Sequence, residues 1–117
     1  NMLPLTTETE GILNAAAFAK LPEGAAVINL GRGAHVIDAD LIAALDSGHL
    51  AAATLDVTSP EPLPPESSLW DHAQVTIMPH VARRPNISDS LPLIVENMRR
   101  VIDGEPLQQL VDRDAGY

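Results

Sequence analysis

The sequence predicts an α/β fold in which about three parallel strands carry flanking helices and a long helix follows toward the C-terminus. Three short apolar runs, at residues 25–30, 50–57 and 75–78, have the length and the turn-forming boundaries of buried strands. Apolar residues between the first two runs recur at helical spacing. A strand, helix, strand unit this short implies a right-handed crossover and therefore parallel strands.

The run at 25–30 is predicted to be buried on both faces, and an arginine between two glycines follows it. Gly31 and Gly33 allow a sharp turn and leave room for a ligand to approach the backbone. Ligands of open α/β sheets bind just beyond the carboxyl ends of the strands. Arg32 is therefore the first candidate for a binding residue.

Capping residues predict where the helices begin. Thr7 and Glu10 match a capping box that would open a first helix, and Asn14 is expected to cap a second segment at 15–20. Asp38 is the expected N-cap of the crossover helix between the first two strands.

The ends of the helices and the start of the last helix are predicted in the same way. Gly48 is placed to close the crossover helix and Gly104 to close the last one. The last helix is expected to begin at Ser88 or Ser90, with Pro92 in its first turn, where a missing N–H is tolerated. Its apolar residues lie on one stripe.

Composition narrows the class of function. The 117 residues include 16 Asp and Glu against 7 Lys and Arg, and the net charge of −9 argues against nucleic-acid and membrane-surface partners. No apolar run approaches the roughly 20 residues of a transmembrane helix. The lack of cysteine excludes disulfides and thiolate chemistry and fits a cytoplasmic protein. The length allows at most one domain.

Charged or titratable residues stand at or just after the ends of all three predicted strands: Arg32, Asp56 and His80. Taken alone, Arg32 fits a surface arginine in a turn, His80 a structural histidine and Asp56 a residue that caps a loop. Their shared position at the carboxyl ends of the strands, where clefts form, favours a functional site. Glu61 lies in a proline-rich loop at 58–68 and, taken alone, is a solvated carboxylate.

The remaining motifs predict no second site. His35, His49 and His72 do not follow strands, and they are predicted to be surface or packing residues. No histidines and carboxylates have the spacing of metal ligands, so no metal site is predicted. Neither of the common glycine-rich phosphate-binding motifs occurs.

Five ordered motifs carry a resemblance to a known family. They are Leu-Pro-Leu-Thr at 3–6, Ile-Asn-Leu-Gly-Arg-Gly at 28–33, Leu-Asp-Val at 55–57, Glu-Pro-Leu-Pro at 61–64 and Pro-His at 79–80. Together they resemble the C-terminal half of the nucleotide-binding domain of D-isomer-specific 2-hydroxyacid dehydrogenases. The resemblance implies half of a Rossmann-like, doubly wound parallel sheet. Two further stretches, Leu-Pro-Pro-Glu-Ser to Trp at 63–70 and Val-Asp-Arg to Gly-Tyr at 111–117, are similar to the branch of the family that reduces glyoxylate and hydroxypyruvate.

The resemblance also implies catalytic roles. These enzymes reduce a 2-keto acid by moving a hydride from a reduced nicotinamide to the keto carbon. His80 matches the family's general acid, and Glu61 matches the carboxylate that orients its imidazole and favours the protonated ring. Arg32 matches the residue that holds the substrate carboxylate, for which a guanidinium fork is well suited.

A cofactor site is implied at the same edge of the sheet. Asp56 matches the acceptor for the nicotinamide carboxamide, and Leu3, Pro4 and Gly31 are expected to line the nicotinamide and ribose side. Arg32 and His80 are expected to border the cofactor as well. The residues of this chain do not distinguish NAD from NADP, because the family's discriminating residue belongs to the other half of the domain.

By the same resemblance, residues 1–117 are expected to form the C-terminal portion of a nucleotide-binding domain, without its glycine-rich half or a substrate domain. Such a chain should bind the cofactor poorly, show no turnover alone, and self-associate or form a homodimer through an unpaired sheet edge. A small 2-keto acid is the expected partner. The alternative is a non-catalytic binding or assembly module, because corepressors with the same fold exist.

Overall fold

The computed structural model describes residues 1–82 and 86–117, and the chain divides into two compact units, Asn1–Ala82 and Arg83–Tyr117. The first unit contains a parallel sheet with two helices and a short 3-10 turn. Its elements are α1 (Ala15–Phe18), β1 (Ala25–Asn29), the 3-10 turn (Gly33–His35), α2 (Asp38–Asp46), β2 (Leu50–Leu55) and β3 (Val75–Ile77). The second unit contains α3 (Ile87–Asp103).

The three strands form one sheet in the order β1, β2, β3, and both strand pairs are parallel. Val27 aligns with Ala53, which in turn aligns with Val75. One core cluster joins the sheet to both helices of this unit, and it includes Phe18, Val27, Leu41, Leu45, Leu50, Ala53 and Leu55. The predicted α/β arrangement of parallel strands with flanking helices is thus confirmed.

The prediction that the first strand is buried on both faces is wrong within the described residues. Val27 and Asn29 of β1 are buried, whereas Ala26 and Ile28 are exposed, Ile28 by 52%. The reason is that α1 and α2 bring their buried side chains to the same core cluster, on the side of the sheet to which Val27 points. The residues of β1 are therefore mostly apolar although one face of this strand is exposed.

The capping box predicted at Thr7 and Glu10 is wrong as well. The carbonyl oxygen of Thr6 accepts the N–H groups of Thr9 and Glu10 at 3.1 and 3.0 Å, so the segment opens one residue earlier and forms only a turn. Gly11 then adopts a left-handed φ of 62° and donates its N–H to the 3-10 turn. This contact draws the chain away before a helix can propagate.

The caps of the first two helices were predicted in part. Asn14 caps α1 through its side chain, as expected, although α1 ends two residues before the predicted limit. Asp38 is the first residue of α2 and not its N-cap. Ile37 occupies the cap position because its N–H still bonds to the carbonyl of Leu13, which keeps the backbone extended there. Gly48 follows α2 with a φ of 77°, as a closing glycine should.

The last helix begins earlier than predicted. Asn86, not Ser88 or Ser90, is the N-cap of α3, and its side chain accepts the N–H of Ser88 at 3.1 Å. Pro92 consequently lies in the second turn of the helix and not in the first. The C-terminal end is confirmed, because Gly104 caps α3 in a left-handed conformation with φ 68°.

The apolar stripe of α3 is exposed, and the helix buries none of its residues. The stripe consists of Leu91, Ile94, Val95, Met98, Val101 and Ile102. Asn97 forms two hydrogen bonds with the backbone of Gln108, which hold the following tail against the helix. None of the helices in the two described ranges has both the length and the apolar character needed to cross a bilayer.

Candidate active site

Arg32, Asp56 and His80 lie beyond the carboxyl ends of β1, β2 and β3. Because the strands are parallel, these three ends share one edge of the sheet, and the predicted juxtaposition follows. The proline-rich loop carrying Glu61 connects β2 to β3 and starts at the same edge.

His80 and Glu61 are in direct contact. Nδ1 of His80 lies 3.2 Å from each carboxylate oxygen of Glu61. An ionised carboxylate only accepts hydrogen bonds. Nδ1 of His80 is therefore protonated, and its N–H donates a hydrogen bond to Glu61. The side chains are 51% and 44% exposed. Within residues 1–82 and 86–117, Nε2 of His80 forms no hydrogen bond and remains accessible to a ligand.

The loop that carries Glu61 is anchored to the core by two leucines. Leu63, which lies between two of the prolines, and Leu69, which follows them, are both buried in the core. Trp70 is half-exposed and contributes through a hydrogen bond, since its Nε1 donates to the carbonyl of Pro64 at 2.9 Å. The carboxylate facing His80 is therefore presented by a supported loop.

The backbone at His80 adopts a left-handed conformation with φ 54°. For a residue other than glycine this costs about 1–3 kcal/mol and persists only where the surroundings impose it. Asp56 supplies such a constraint: its two carboxylate oxygens accept the N–H groups of Val81 at 2.8 Å and Ala82 at 3.0 Å. Asp56 thereby fixes the backbone that directs the imidazole.

Asp56 is held in its charged form although only 3% of its surface is exposed. Burial raises the pKa of this carboxyl, but the N–H groups of Val81 and Ala82, together with the nearby His80, outweigh burial and lower the pKa below its usual value. Each oxygen of the ionised carboxylate accepts one of the two N–H groups, and a protonated carboxyl would not accept both of them equally well.

We expect the free energy of unfolding to fall as the pH drops below about 4, in part because Asp56 becomes protonated. A group with a depressed pKa in the folded state stabilises the fold above its unfolded-state pKa. It loses that contribution as the pH falls through the folded-state pKa. Asp56→Asn should flatten this acid dependence and destabilise the protein at neutral pH, because an amide offers one acceptor oxygen for two N–H donors. Urea unfolding of the wild type and of Asp56→Asn across this pH range tests the prediction. A free energy of unfolding that depends on pH in the same way in both proteins would contradict it.

Arg32 lies exposed in the turn after β1. Its Nη1 donates to the carbonyl of Gly31 at 2.7 Å, which folds the side chain over its own turn. In the part of the chain that the structure describes, the guanidinium forms no ion pair. The structure does not bring Arg32 into contact with Glu61 or His80, so an anion bound by Arg32 would have to bridge the distance to the imidazole.

Two fully buried polar residues hold the Arg32 turn from below. Asn29 accepts the N–H of Gly31 at 3.1 Å and donates to the carbonyl of Arg32 at 2.9 Å. Nδ1 of His35 accepts the N–H of Arg32 at 3.0 Å. Sequence reasoning treated His35 as a surface or packing residue and missed this role. For Asn29, the available signal in the sequence was a polar residue at the end of an otherwise apolar strand.

The space beside the two glycines is filled by the chain itself, contrary to the prediction that it admits a ligand. A Cβ at Gly31 would lie 2.9 Å from Nδ1 of His35, whose ring is fully buried. A Cβ at Gly33 would overlap the carbonyl group of Thr58 and lie 2.5 Å from the amide nitrogen of Ser59. The glycines thus permit the Arg32 turn to pack directly against the start of the Glu61 loop.

The residues predicted to line the cofactor differ in their exposure to solvent. Leu3, Pro4, Arg32 and His80 are exposed and accessible to a bound dinucleotide, and Gly31 is buried. Asp56 is also buried and already accepts one N–H at each oxygen, so a carboxamide would have to use a remaining lone pair. Four of the predicted residues are therefore within reach of a ligand, whereas the carboxylate of Asp56 bonds to the protein backbone.

The model of one protein family, described as D-isomer specific 2-hydroxyacid dehydrogenase, NAD binding domain, matches residues 1–82. Among curated proteins, a glyoxylate/hydroxypyruvate reductase A of Klebsiella pneumoniae subsp. pneumoniae is 49% identical over all 117 residues. The chain spans 38% of the length of that relative.

Solved structures agree with this match. A D-isomer specific 2-hydroxyacid dehydrogenase from Xanthobacter autotrophicus Py2, in complex with NADPH and MES, superposes with a TM-score of 0.92 at 52% identity. That match covers 99% of this chain and 48% of the other. An NADPH-dependent glyoxylate/hydroxypyruvate reductase from Sinorhizobium meliloti, in complex with NADP and sulfate, gives 0.87 at 46% identity, covering 99% and 38%.

The sheet, the motifs at its carboxyl edge and the similarity along the whole chain therefore lead to one assignment. This chain belongs to the D-isomer-specific 2-hydroxyacid dehydrogenase family, and its residues 1–82 correspond to the NAD-binding domain of that family.

Proposed function

We propose that this chain supplies the proton-donating and substrate-binding residues of an NAD(P)H-dependent 2-keto acid reductase. The contact between Nδ1 of His80 and the carboxylate of Glu61, at the sheet edge that also carries Arg32, is the observation that supports it most directly. We further propose that residues 1–117 form the C-terminal portion of the nucleotide-binding domain, which agrees with the family match.

The reaction needs a proton donor at the keto oxygen. A reduced nicotinamide, when bound, would supply a hydride to the keto carbon, and negative charge would then develop on the keto oxygen. His80 has Nδ1 directed to Glu61, which leaves Nε2 to deliver its proton to that oxygen. Glu61 keeps the imidazole oriented and stabilises the positive charge it carries before transfer.

Arg32 is proposed to bind the carboxylate of the 2-keto acid. Its exposed guanidinium forms no ion pair in the described ranges, and two parallel N–H donors match a carboxylate. A substrate held there would span the gap from the Arg32 turn to the imidazole. Leu3 and Pro4, which are exposed, would lie along the nicotinamide and ribose, with the buried Gly31 behind them. Asp56 would accept from the carboxamide through a remaining lone pair.

Glyoxylate and hydroxypyruvate are the proposed substrates, because the similar proteins from Klebsiella and Sinorhizobium carry these acids in their names. NADPH is the first cofactor to test, since two of the similar structures contain NADPH or NADP. Self-association or a homodimer is proposed, and the exposed apolar residues of β1 and those of the α3 stripe each support it separately. A cytoplasmic location stays a prediction, and no observation favours the non-catalytic module.

The deciding experiment is the oxidation of NADPH and NADH by glyoxylate, hydroxypyruvate and pyruvate. It uses the longest form of the protein that its natural reading frame encodes, with the 117-residue chain beside it. We expect turnover by the longer form, and for Arg32→Gln a rise in the KM for the acid of roughly tenfold or more, as for loss of a charged hydrogen bond. No turnover with any of these acids would overturn the proposal.

A further inference from the structure

His35 lies between the two segments that flank the proposed site. Its ring is fully buried, directly beneath the turn that carries Arg32. Nδ1 accepts the backbone N–H of Arg32 at 3.0 Å, and Nε2 lies 3.2 Å from the carbonyl oxygen of Pro4. One rigid ring therefore joins the proposed substrate-binding turn to the segment expected to line the cofactor.

The hydrogen-bond network determines the tautomer of this ring. Nδ1 faces the N–H of Arg32 and also lies 2.9 Å from Nδ2 of Asn1, and both of these groups are donors. The amide of Asn1 is itself oriented, since its Nδ2 donates to Asn29 and its Oδ1 accepts the N–H of Leu3. Nδ1 of His35 must therefore be unprotonated, which leaves the proton on Nε2, where it is donated to Pro4.

The carbonyl of Pro4 is fixed by a second donor. Thr9 Oγ1 donates to it at 2.7 Å, so this oxygen accepts from two sides. A ring lying between a backbone N–H and a backbone carbonyl sets the separation of the two segments. Small displacements at a reacting centre carry large rate costs.

We infer that His35 is a positioning residue of this site, acting through the backbone of Arg32 on substrate binding and through the carbonyl of Pro4 on cofactor binding. The inference rests on the proposed function. Each ring nitrogen then acts on the binding of a different ligand. Nδ1 supports binding of the 2-keto acid, and Nε2 supports binding of the nicotinamide cofactor.

Two substitutions separate the nitrogens. In His35→Asn, the amide oxygen can replace Nδ1 as acceptor for Arg32, while the donor to Pro4 is lost. In His35→Gln, the amide nitrogen can replace Nε2 as donor to Pro4, while the acceptor for Arg32 is lost. His49 offers a matched control, because its Nε2 lies 2.9 Å from the carbonyl of Phe18 and it precedes β2, at the opposite edge of the sheet.

In the longest form that the natural reading frame encodes, once turnover is measured there, we expect His35→Asn to raise the KM for NADPH about five- to tenfold, the equivalent of one hydrogen bond. The KM for glyoxylate should stay near the wild-type value. His35→Gln should show the reverse pattern, and His49→Gln should change neither constant. Equal changes in both constants for both His35 variants, or a loss of stability alone, would reduce His35 to an ordinary buried histidine and overturn the inference.

A measurement on the unsubstituted 117-residue chain is independent of folding defects and of activity. Two-bond ¹⁵N–¹H correlation NMR of the histidine rings should show His35 with Nδ1 unprotonated and Nε2 protonated. The opposite tautomer would overturn the inference directly. If the tautomer is as argued but the longer form reduces no 2-keto acid, the proposed function fails while the geometry around His35 stands.

Discussion

Replacing His80 with glutamine should lower kcat for glyoxylate reduction roughly 100- to 10,000-fold, the range expected for loss of a general acid. Glutamine keeps a polar side chain at this position, but its amide has no ionisable proton to give to the forming alkoxide. The KM for glyoxylate should change little, because Arg32 is the proposed anchor for the carboxylate. Steady-state kinetics on the longest form of the protein measures both constants.

A matched control for this prediction exists in the same chain. His72 also pairs with a carboxylate, its Nε2 lying 3.3 Å from Oδ1 of Asp46, but it precedes β3 and so lies away from the carboxyl edge. His72→Gln should leave kcat unchanged. If His80→Gln keeps the wild-type rate, or if both variants lose the same activity, the assignment of the general acid is wrong.

Gly33→Ala should destabilise the protein by at least about 3 kcal/mol, the upper part of the range for overpacking. The added Cβ would overlap the carbonyl of Thr58 and approach the amide nitrogen of Ser59, and backbone atoms cannot turn aside as a flexible side chain can. Relief would require the start of the Glu61 loop to move away from the Arg32 turn. We therefore expect kcat to fall together with stability.

Gly48→Ala separates this overlap from ordinary glycine strain. Gly48 has a φ of 77° but no atom within 4 Å of the position of a Cβ, so its substitution should cost only about 1–2 kcal/mol of backbone strain. Urea denaturation of the two variants gives the comparison. A loss for Gly33→Ala no larger than that for Gly48→Ala would show that the Arg32 turn and the Glu61 loop do not pack as closely as described.

The positions of the candidate site residues could be predicted because they follow from topology. Apolar runs mark the strands, a short crossover makes them parallel, and parallel strands place Arg32, Asp56 and His80 at one edge. The pairing of Glu61 with His80 entered only through the family resemblance. No local rule places a loop carboxylate 3.2 Å from a ring nitrogen that lies in another part of the sheet.

The local sequence also determined the helix ends where a single residue decides them. Asn14 accepts an N–H from the turn that it begins, and Gly104 adopts a left-handed φ that most other residues avoid. The turn at Thr7 and the N-cap at Asp38 were mispredicted because contacts from distant segments, through Gly11 and Ile37, overrode the local signal.

The sequence by itself thus determined the parallel strands, the edge at which the charged residues lie and the glycines that close the helices, since these depend on residues near one another in the chain. Only the tertiary structure decided that Asp56 restrains the backbone after His80, that His35 lies beneath the Arg32 turn, and that β1 keeps an open face. Burial and hydrogen-bond partners are set by segments that meet only after folding, and a one-dimensional pattern does not encode which of them meet.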